Sequence, residues 1–285
     1  MILQTKHQQT QPCRVVAFYS RDTRHFSYVL SDVHSGTCAI IDPSANYTAC
    51  SGLLVFRDAN TIVQYIHDHS LTVQWLLETD IHTSHFSAAA YIRKKTGGKL
   101  AISAAVAEIP KRLKSSHGEI ALEPAGFDCM LQQGQTISLG ELQIKPMAIP
   151  GRSPAAMAFL VSDCLFSGSS LLMPDKGAAC ACSPLADRNK MQQSLLYMLK
   201  LPATLRVFVG RDSDNATRSL EYETTIGQLR QTRLNQAIPR GSCLNRSQYA
   251  SEFCALFWPA LQYNLRAQFT GSRYCNLTFP LSVEK

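Results

Sequence analysis

Short apolar runs gathered in two blocks, each followed by runs with helical spacing, constrain this chain more than any other feature. The first block reads as strands at residues 14–19, 26–30 and 38–42, separated by polar and glycine-containing turns. Residues 58–69 then carry apolar side chains at helical spacing. Residues 73–77 read as a buried strand ending at Glu78 and Thr79, and residues 86–95 as a helix closed by Gly97 and Gly98. Strands dominate again over 136–168, including 142–147 and 157–161. They are followed by a helix over 188–199, a strand over 206–209 and helices over 224–235 and 247–256. A sheet with an apolar face must bury it against another layer. The order therefore predicts an α/β chain with two mixed sheets packed face to face and helices on both outer sides, a four-layer αβ/βα sandwich.

Composition bounds what such a sandwich can do. With 285 residues and 45% apolar side chains, the chain can build one substantial core. We expect a single domain over 1–285, its core about 14–215 and a helical extension about 216–285. The net charge of +7 is dispersed rather than gathered in a basic tract, which gives no support to nucleic-acid binding. The polar start, residues 1–8, lacks the apolar run of a secretory signal, and no segment approaches the roughly 18 apolar residues that span a bilayer. The expectation is a cytoplasmic protein without membrane insertion. Ten cysteines are scattered through a chain too large to need disulfide stapling, so most read as reduced thiols, and Cys164 has no motif around it.

The chemistry-bearing segment is 76–89, Leu-Leu-Glu-Thr-Asp-Ile-His-Thr-Ser-His-Phe-Ser-Ala-Ala, a strand running through a loop into a helix. By themselves His82 and His85, two histidines near a strand end, read as ordinary loop residues rather than ligands. Three later segments accompany this stretch: Ile149-Pro150-Gly151-Arg152-Ser153-Pro154, Leu165-Phe166-Ser167-Gly168-Ser169-Ser170-Leu171, and Val207-Phe208-Val209-Gly210-Arg211-Asp212 after Leu201-Pro202.

In order and approximate spacing these segments resemble the motifs of metallo-β-lactamase-fold hydrolases of the glyoxalase II and persulfide dioxygenase kind. Glu223-Thr224-Thr225-Ile226 and residues 258–267, Trp-Pro-Ala-Leu-Gln-Tyr-Asn-Leu-Arg-Ala, look like the persulfide dioxygenase branch. The resemblance covers residues 14–268 and implies the metallo-β-lactamase sandwich, with a homodimer as its assembly. It also exposes what has changed. Where the family has His-x-His-x-Asp-His, this chain has Asp80-x-His82-x-Ser84-His85. Arg152 stands at the His of Pro-Gly-His-Thr-Pro, Ser169 at the bridging Asp, and Arg211 at the last His. Only His82 and His85 keep their residue type, and in two-metal members they serve different ions.

A zinc site needs three or four protein ligands. Arg152 and Arg211 stay protonated and repel a divalent cation, while the carboxylates lost at Ser84 and Ser169 no longer offset them. Zinc lowers the pKa of bound water from 15.7 to about 7, worth on the order of 12 kcal/mol, and no residue type in these motifs replaces that. The expected function is therefore a non-catalytic pseudoenzyme in a regulatory, partner-binding or anion-binding role, with no cofactor. Asp80 and Asp212 are expected to pair with Arg152 and Arg211; if those arginines instead face an open cleft, they suit a small anion. The alternative is a surviving hydrolase or sulfur-metabolism enzyme. It would use zinc or iron on a rearranged set of Asp80, His82, His85 and Asp212, or a reactive thiol at Cys180 or Cys182 in the loop beside the site.

Overall fold

The computed structural model describes residues 2–4, 12–48, 51–117, 123–178, 183–213, 218–232 and 246–269. Its first half runs β1 (Ile2–Gln4), β2 (Cys13–Ser20), β3 (His25–Asp32) and β4 (Thr37–Ile41), then a hairpin of β5 (Asn46–Thr48) and β6 (Leu53–Val55). Then come α1 (Arg57–Asp68), β7 (Thr72–Leu77), α2 (Ala89–Thr96), β8 (Lys99–Ser103), α3 (Glu108–His117) and β9 (Cys129–Leu131). The second half runs β10 (Ile137–Leu139), β11 (Leu142–Ala148), β12 (Met157–Val161), β13 (Cys164–Phe166), α4 (Arg188–Met198), β14 (Arg206–Phe208), β15 (Glu223–Thr225), α5 (Ile226–Arg230) and α6 (Arg246–Arg266).

Two mixed sheets result, in the orders β1-β2-β3-β4-β7-β8-β9 and β10-β11-β12-β13-β14-β15. Meanders supply the antiparallel pairs, while β4-β7-β8-β9 and β13-β14 are parallel and need crossovers through helices or long loops. Both faces of each sheet are covered, as the alternation along the strands requires. Cys13, Val15 and Ala17 of β2 point into the space between the sheets with Phe26, Tyr28, Phe159, Phe166 and Phe208. Val16 and Phe18 point outward to α1, α2 and α6. Leu165 and Val207 point outward on the second sheet, against α4 and α5. The layers are thus helix, sheet, sheet, helix, as the sequence implies. Phe166 and Phe208 stack with centroids 5.0 Å apart between the sheets; truncating either to alanine would cost about 3–5 kcal/mol.

Three boundaries differ from the sequence expectation. Helix α2 starts at Ala89 rather than residue 86, because Phe86 and Ala88 use their backbone groups on Ala45 and Pro43. Residues 224 and 225 are strand rather than helix: Thr224 pairs with Val207, and the Thr225 side chain caps the five-residue α5 through a reciprocal bond with Gln228. The helix read over 247–256 extends to Arg266, and its end packs Phe257, Leu261 and Leu265 against Ile81 and Ile102.

Candidate functional site

The loops that follow β4, β7, β13 and β14 meet at one end of the sandwich. Asp42 follows β4, residues 78–88 follow β7, and the segments at Gly168 and Gly210 follow β13 and β14. Their approach is close enough to need glycine. A Cβ on Gly168 (φ 53°) would sit 2.2 Å from Thr79 Oγ1, and one on Gly210 would sit 2.6 Å from the Gly168 carbonyl carbon. The Gly210 amide donates to Gly168 O at 2.7 Å, and Arg211 forms a β-bridge with His25.

At the centre is His82, held by two carboxylates. Its Nε2 lies 2.9 Å from Asp42 Oδ1 and 3.3 Å from Glu78 Oε2, with all three side chains at most 5% exposed. Burial alone would lower the pKa of His82, but Asp42 and Glu78 outweigh it and raise it to about 10, so the ring is a cation at neutral pH. Burial pushes Asp42 up, and the His82 charge outweighs that to leave it low. Burial raises Glu78, with Asp42 adding to the effect. Asp42 also accepts from the Thr79 amide at 2.7 Å and the Thr79 hydroxyl at 2.5 Å, and Glu78 accepts from Ser87 Oγ. Both Asp42 and His82 have left-handed backbones, with φ 50° and 38°. Such conformations persist only where the surroundings over-determine them, and here four hydrogen-bonded loops do so.

Two further imidazoles pack on this centre. The His25 ring lies 4.3 Å from that of His85 and 5.5 Å from that of His82, and His82 lies 4.5 Å from His85, centroid to centroid. Burial lowers His25 to about 3, and the charges of His82, Arg211 and Arg152 add to it; burial and the same neighbours put His85 well below its ordinary value. Both are neutral. Among the described residues, neither nitrogen of His25 nor Nε2 of His85 has a hydrogen-bond partner.

Of the two ion pairs expected from the sequence, one forms. Asp80 Oδ2 lies 3.9 Å from Arg152 Nε, and Asp80 Oδ1 accepts from Ser153 Oγ and from the Ile81 amide. Asp212, whose side chain is fully buried, is held by Lys176 Nζ at 2.6 Å and by Arg218 at 2.6 and 2.9 Å, rather than chiefly by Arg211. The reason is reach: His25 pairs with the Arg211 backbone, and the Arg211 guanidinium meets Thr23 O at 3.4 Å. Asp80, His82, His85 and Asp212 therefore do not form one ligand set. Ser84 is half-buried and Ser169 buried at the loop positions read from the sequence, whereas Cys180 and Cys182 lie outside the described residues.

The sequence reading missed His25, Asp42, Glu78, Lys176, Arg218 and Asn264. Asn264 of α6 accepts from the Ser87 amide at 2.8 Å and donates to the carbonyls of Ile81, His82 and His85 at 2.7–3.1 Å, so it fixes the whole loop. It lies inside the 258–267 segment that carried the family resemblance. Asp42 and Glu78 stand at the ends of two correctly read strands, which is a usable signal. His25 opens β3, with no motif around it.

Among the described residues, Asp42, Glu78 and His82 bring three donor atoms within 4.8 Å of one another, a group that could hold a metal ion. Beside this group, Asp80 and Arg152 form an ion pair. Two cavities at the centre, one bordered by Asp80, His82, Arg152 and Ser153 and the other by Glu78, His82 and Asn264, have volumes of about 10 Å³ each. That is about the space of one water molecule.

No family model matches the chain. A probable metallo-hydrolase of Burkholderia pseudomallei is 30% identical over 295 residues, covering 94% of this chain and 99% of that protein. A β-lactamase hydrolase-like protein of Agrobacterium fabrum is 34% identical over 223 residues, 78% of this chain and 51% of its own length, so the chain spans about half of that relative. Glyoxylase B2 of Dictyostelium discoideum is 27% identical over 249 residues, 84% of this chain and 85% of its own. Among solved structures, ETHE1 from Myxococcus xanthus superposes with a TM-score of 0.65 at 16% identity, over 89% of this chain and 98% of that one, a likeness of fold. The strand order, the loop positions and these relatives agree: the chain belongs to the metallo-β-lactamase superfamily, in its glyoxalase II and ETHE1-like branch.

Proposed function

We propose that this chain is a non-catalytic member of its family, a hydrolase scaffold whose centre has been refilled by ion pairs and which acts by binding a partner. The observation that carries the reading is the Asp80–Arg152 pair, with Ser153 on the same carboxylate, at two of the positions where the family binds metal. A buried cation beside the would-be ligands disfavours a divalent ion, and its own carboxylate partner leaves it little capacity for a free anion. Partner binding is therefore favoured over anion binding. A cytoplasmic location suits the free thiols at Cys13, Cys38, Cys129 and Cys164, and among the described residues no helix is long and apolar enough to cross a membrane. Assembly as a homodimer belongs to the same proposal.

One observation favours a second reading. Among the described residues, Asp42, Glu78 and His82 bring three donor atoms within 4.8 Å of one another, a group that could hold a metal ion. Elemental analysis of the chain after exposure to zinc, iron and manganese, paired with hydrolysis of an acylglutathione thioester, separates the two. The pseudoenzyme reading expects metal far below one ion per chain and no turnover. A stoichiometric metal, lost in both Asp42→Asn and His82→Ala, would replace it with a metal site on Asp42, Glu78 and His82.

A further inference from the structure

Far from the loops just described, two thiols meet across the core. Cys13 opens β2 of the first sheet and Cys164 opens β13 of the second, 151 residues apart in sequence, with Sγ atoms 3.8 Å from each other. Because β13 runs from Cys164 toward the site loop at Gly168, and β2 runs from Cys13 toward the turn before His25, the pair lies at the opposite end of the sandwich from the site. Both thiols are at most 1% exposed. Pro12, Arg14 and Ser162, close to them in the chain, are exposed.

The surroundings are polar for an inter-sheet core. Arg206 donates to Cys164 Sγ at 3.0 Å while holding Asp163 by two bonds of 2.8 and 3.0 Å. The neighbouring Cys164 S–H, helped by the Arg206 charge, brings the Cys13 thiol below its ordinary value, while the bond to Cys13 and burial push Cys164 up. Cys13, Cys164 and Asp163 would be a plausible cation cluster by distance alone. The Arg206 guanidinium on Asp163 and Cys164 argues against a cation there.

We propose that Cys13 and Cys164 form a redox pair that a hydroperoxide converts to a disulfide joining the two sheets. The Cys13 thiolate attacks one peroxide oxygen, the O–O bond breaks, and hydroxide leaves, giving a sulfenic acid on Cys13. The Cys164 sulfur then attacks the Cys13 sulfur; the S–O bond breaks and water leaves with the Cys164 proton. The hydroxide takes up the proton that Cys13 had released, so two thiols and one hydrogen peroxide give one disulfide and two waters. Contact at 3.8 Å is farther than the 2.03–2.05 Å of a bond, and side-chain rotation of the two residues must close the gap. In a reducing compartment such a bond is transient and reports oxidant exposure. It closes a long loop, so the oxidised form should melt about 5–15 °C higher than the reduced one.

The test uses the full chain, reduced and then treated with a small excess of hydrogen peroxide, alkylated under denaturing conditions and digested. A cross-linked peptide joining Cys13 to Cys164 is expected as the dominant product, reversed by dithiothreitol. In Cys164→Ser the cross-link disappears and dimedone labels Cys13. Recovery of both residues as alkylated thiols from the wild-type chain, while other cysteines have oxidised, would overturn the proposal; that measurement needs no variant to fold.

Discussion

The rings of His25 and His85 lie 4.3 Å apart with their planes inclined by 36°, and both are fully buried and neutral beside the His82 cation. A buried imidazole that cannot take up a proton opposes acidification. The folded pKa of His25, about 3, lies below its unfolded value of 6.5. Its contribution is therefore complete above pH 6.5 and is lost as pH falls from 6.5 toward 3, with His85 acting in the same direction. Urea midpoints should drop steadily over that interval, and the drop should shrink in His25→Phe. Equal slopes in the two proteins would refute this account.

His82 has the opposite sign. Its folded pKa of about 10 lies above the unfolded 6.5, so the stability it adds is complete below pH 6.5 and is lost as pH rises toward 10. We expect a decline on the order of 2–4 kcal/mol across that window, since a tenfold change in proton affinity is worth about 1.4 kcal/mol. His82→Gln, measured by the same denaturant titration, should flatten the alkaline limb. Together with His25, this puts the stability maximum near neutrality.

Asn264 is expected to be a position of high cost. Asn264→Leu leaves the Ser87 amide and the carbonyls of Ile81, His82 and His85 without their partner in a buried loop. Each orphaned group costs about 1–3 kcal/mol, so a loss of about 3 kcal/mol or more should appear in equilibrium unfolding. A loss under about 1 kcal/mol would mean that the loop finds other partners.

Restoring the ligands tests the proposed history of the centre. The triple substitution Asp80→His, Arg152→His and Ser169→Asp removes one buried ion pair and returns three donors to positions that the family uses. Iron content after reconstitution should rise from far below one ion per chain toward one. If the folded triple variant, verified by circular dichroism, still took up no iron, the loops would have moved too far for substitution alone to reverse.

Much of the architecture was readable from the residues. Short apolar runs placed β2, β3 and β4, and the segments around Gly168 and Gly210 stood out through the family resemblance. What failed was local: Thr224 and Thr225 look helical beside Ile226, and only the pairing with β14 makes them strand. The site was readable as residues at the family's motif positions but not as the contacts those residues make. His25 opens a strand with no motif around it, Asn264 reaches the loop from 177–183 residues away, and Lys176 and Arg218 take Asp212 because of where their backbones lie. Long-range partners of this kind leave no local pattern.

The tie between Asn264 and the loop after β7 also sets a timetable for biosynthesis. The loop's carbonyls and the Ser87 amide wait for a side chain made 177–183 residues later. At a synthesis rate of roughly 5–20 residues per second, the loop remains unfastened for about 10–35 s after it leaves the ribosome. During that interval the apolar outer face of the first sheet, which α6 later covers, is open to a chaperone, and mistakes made there would be sealed in when the last helix docks.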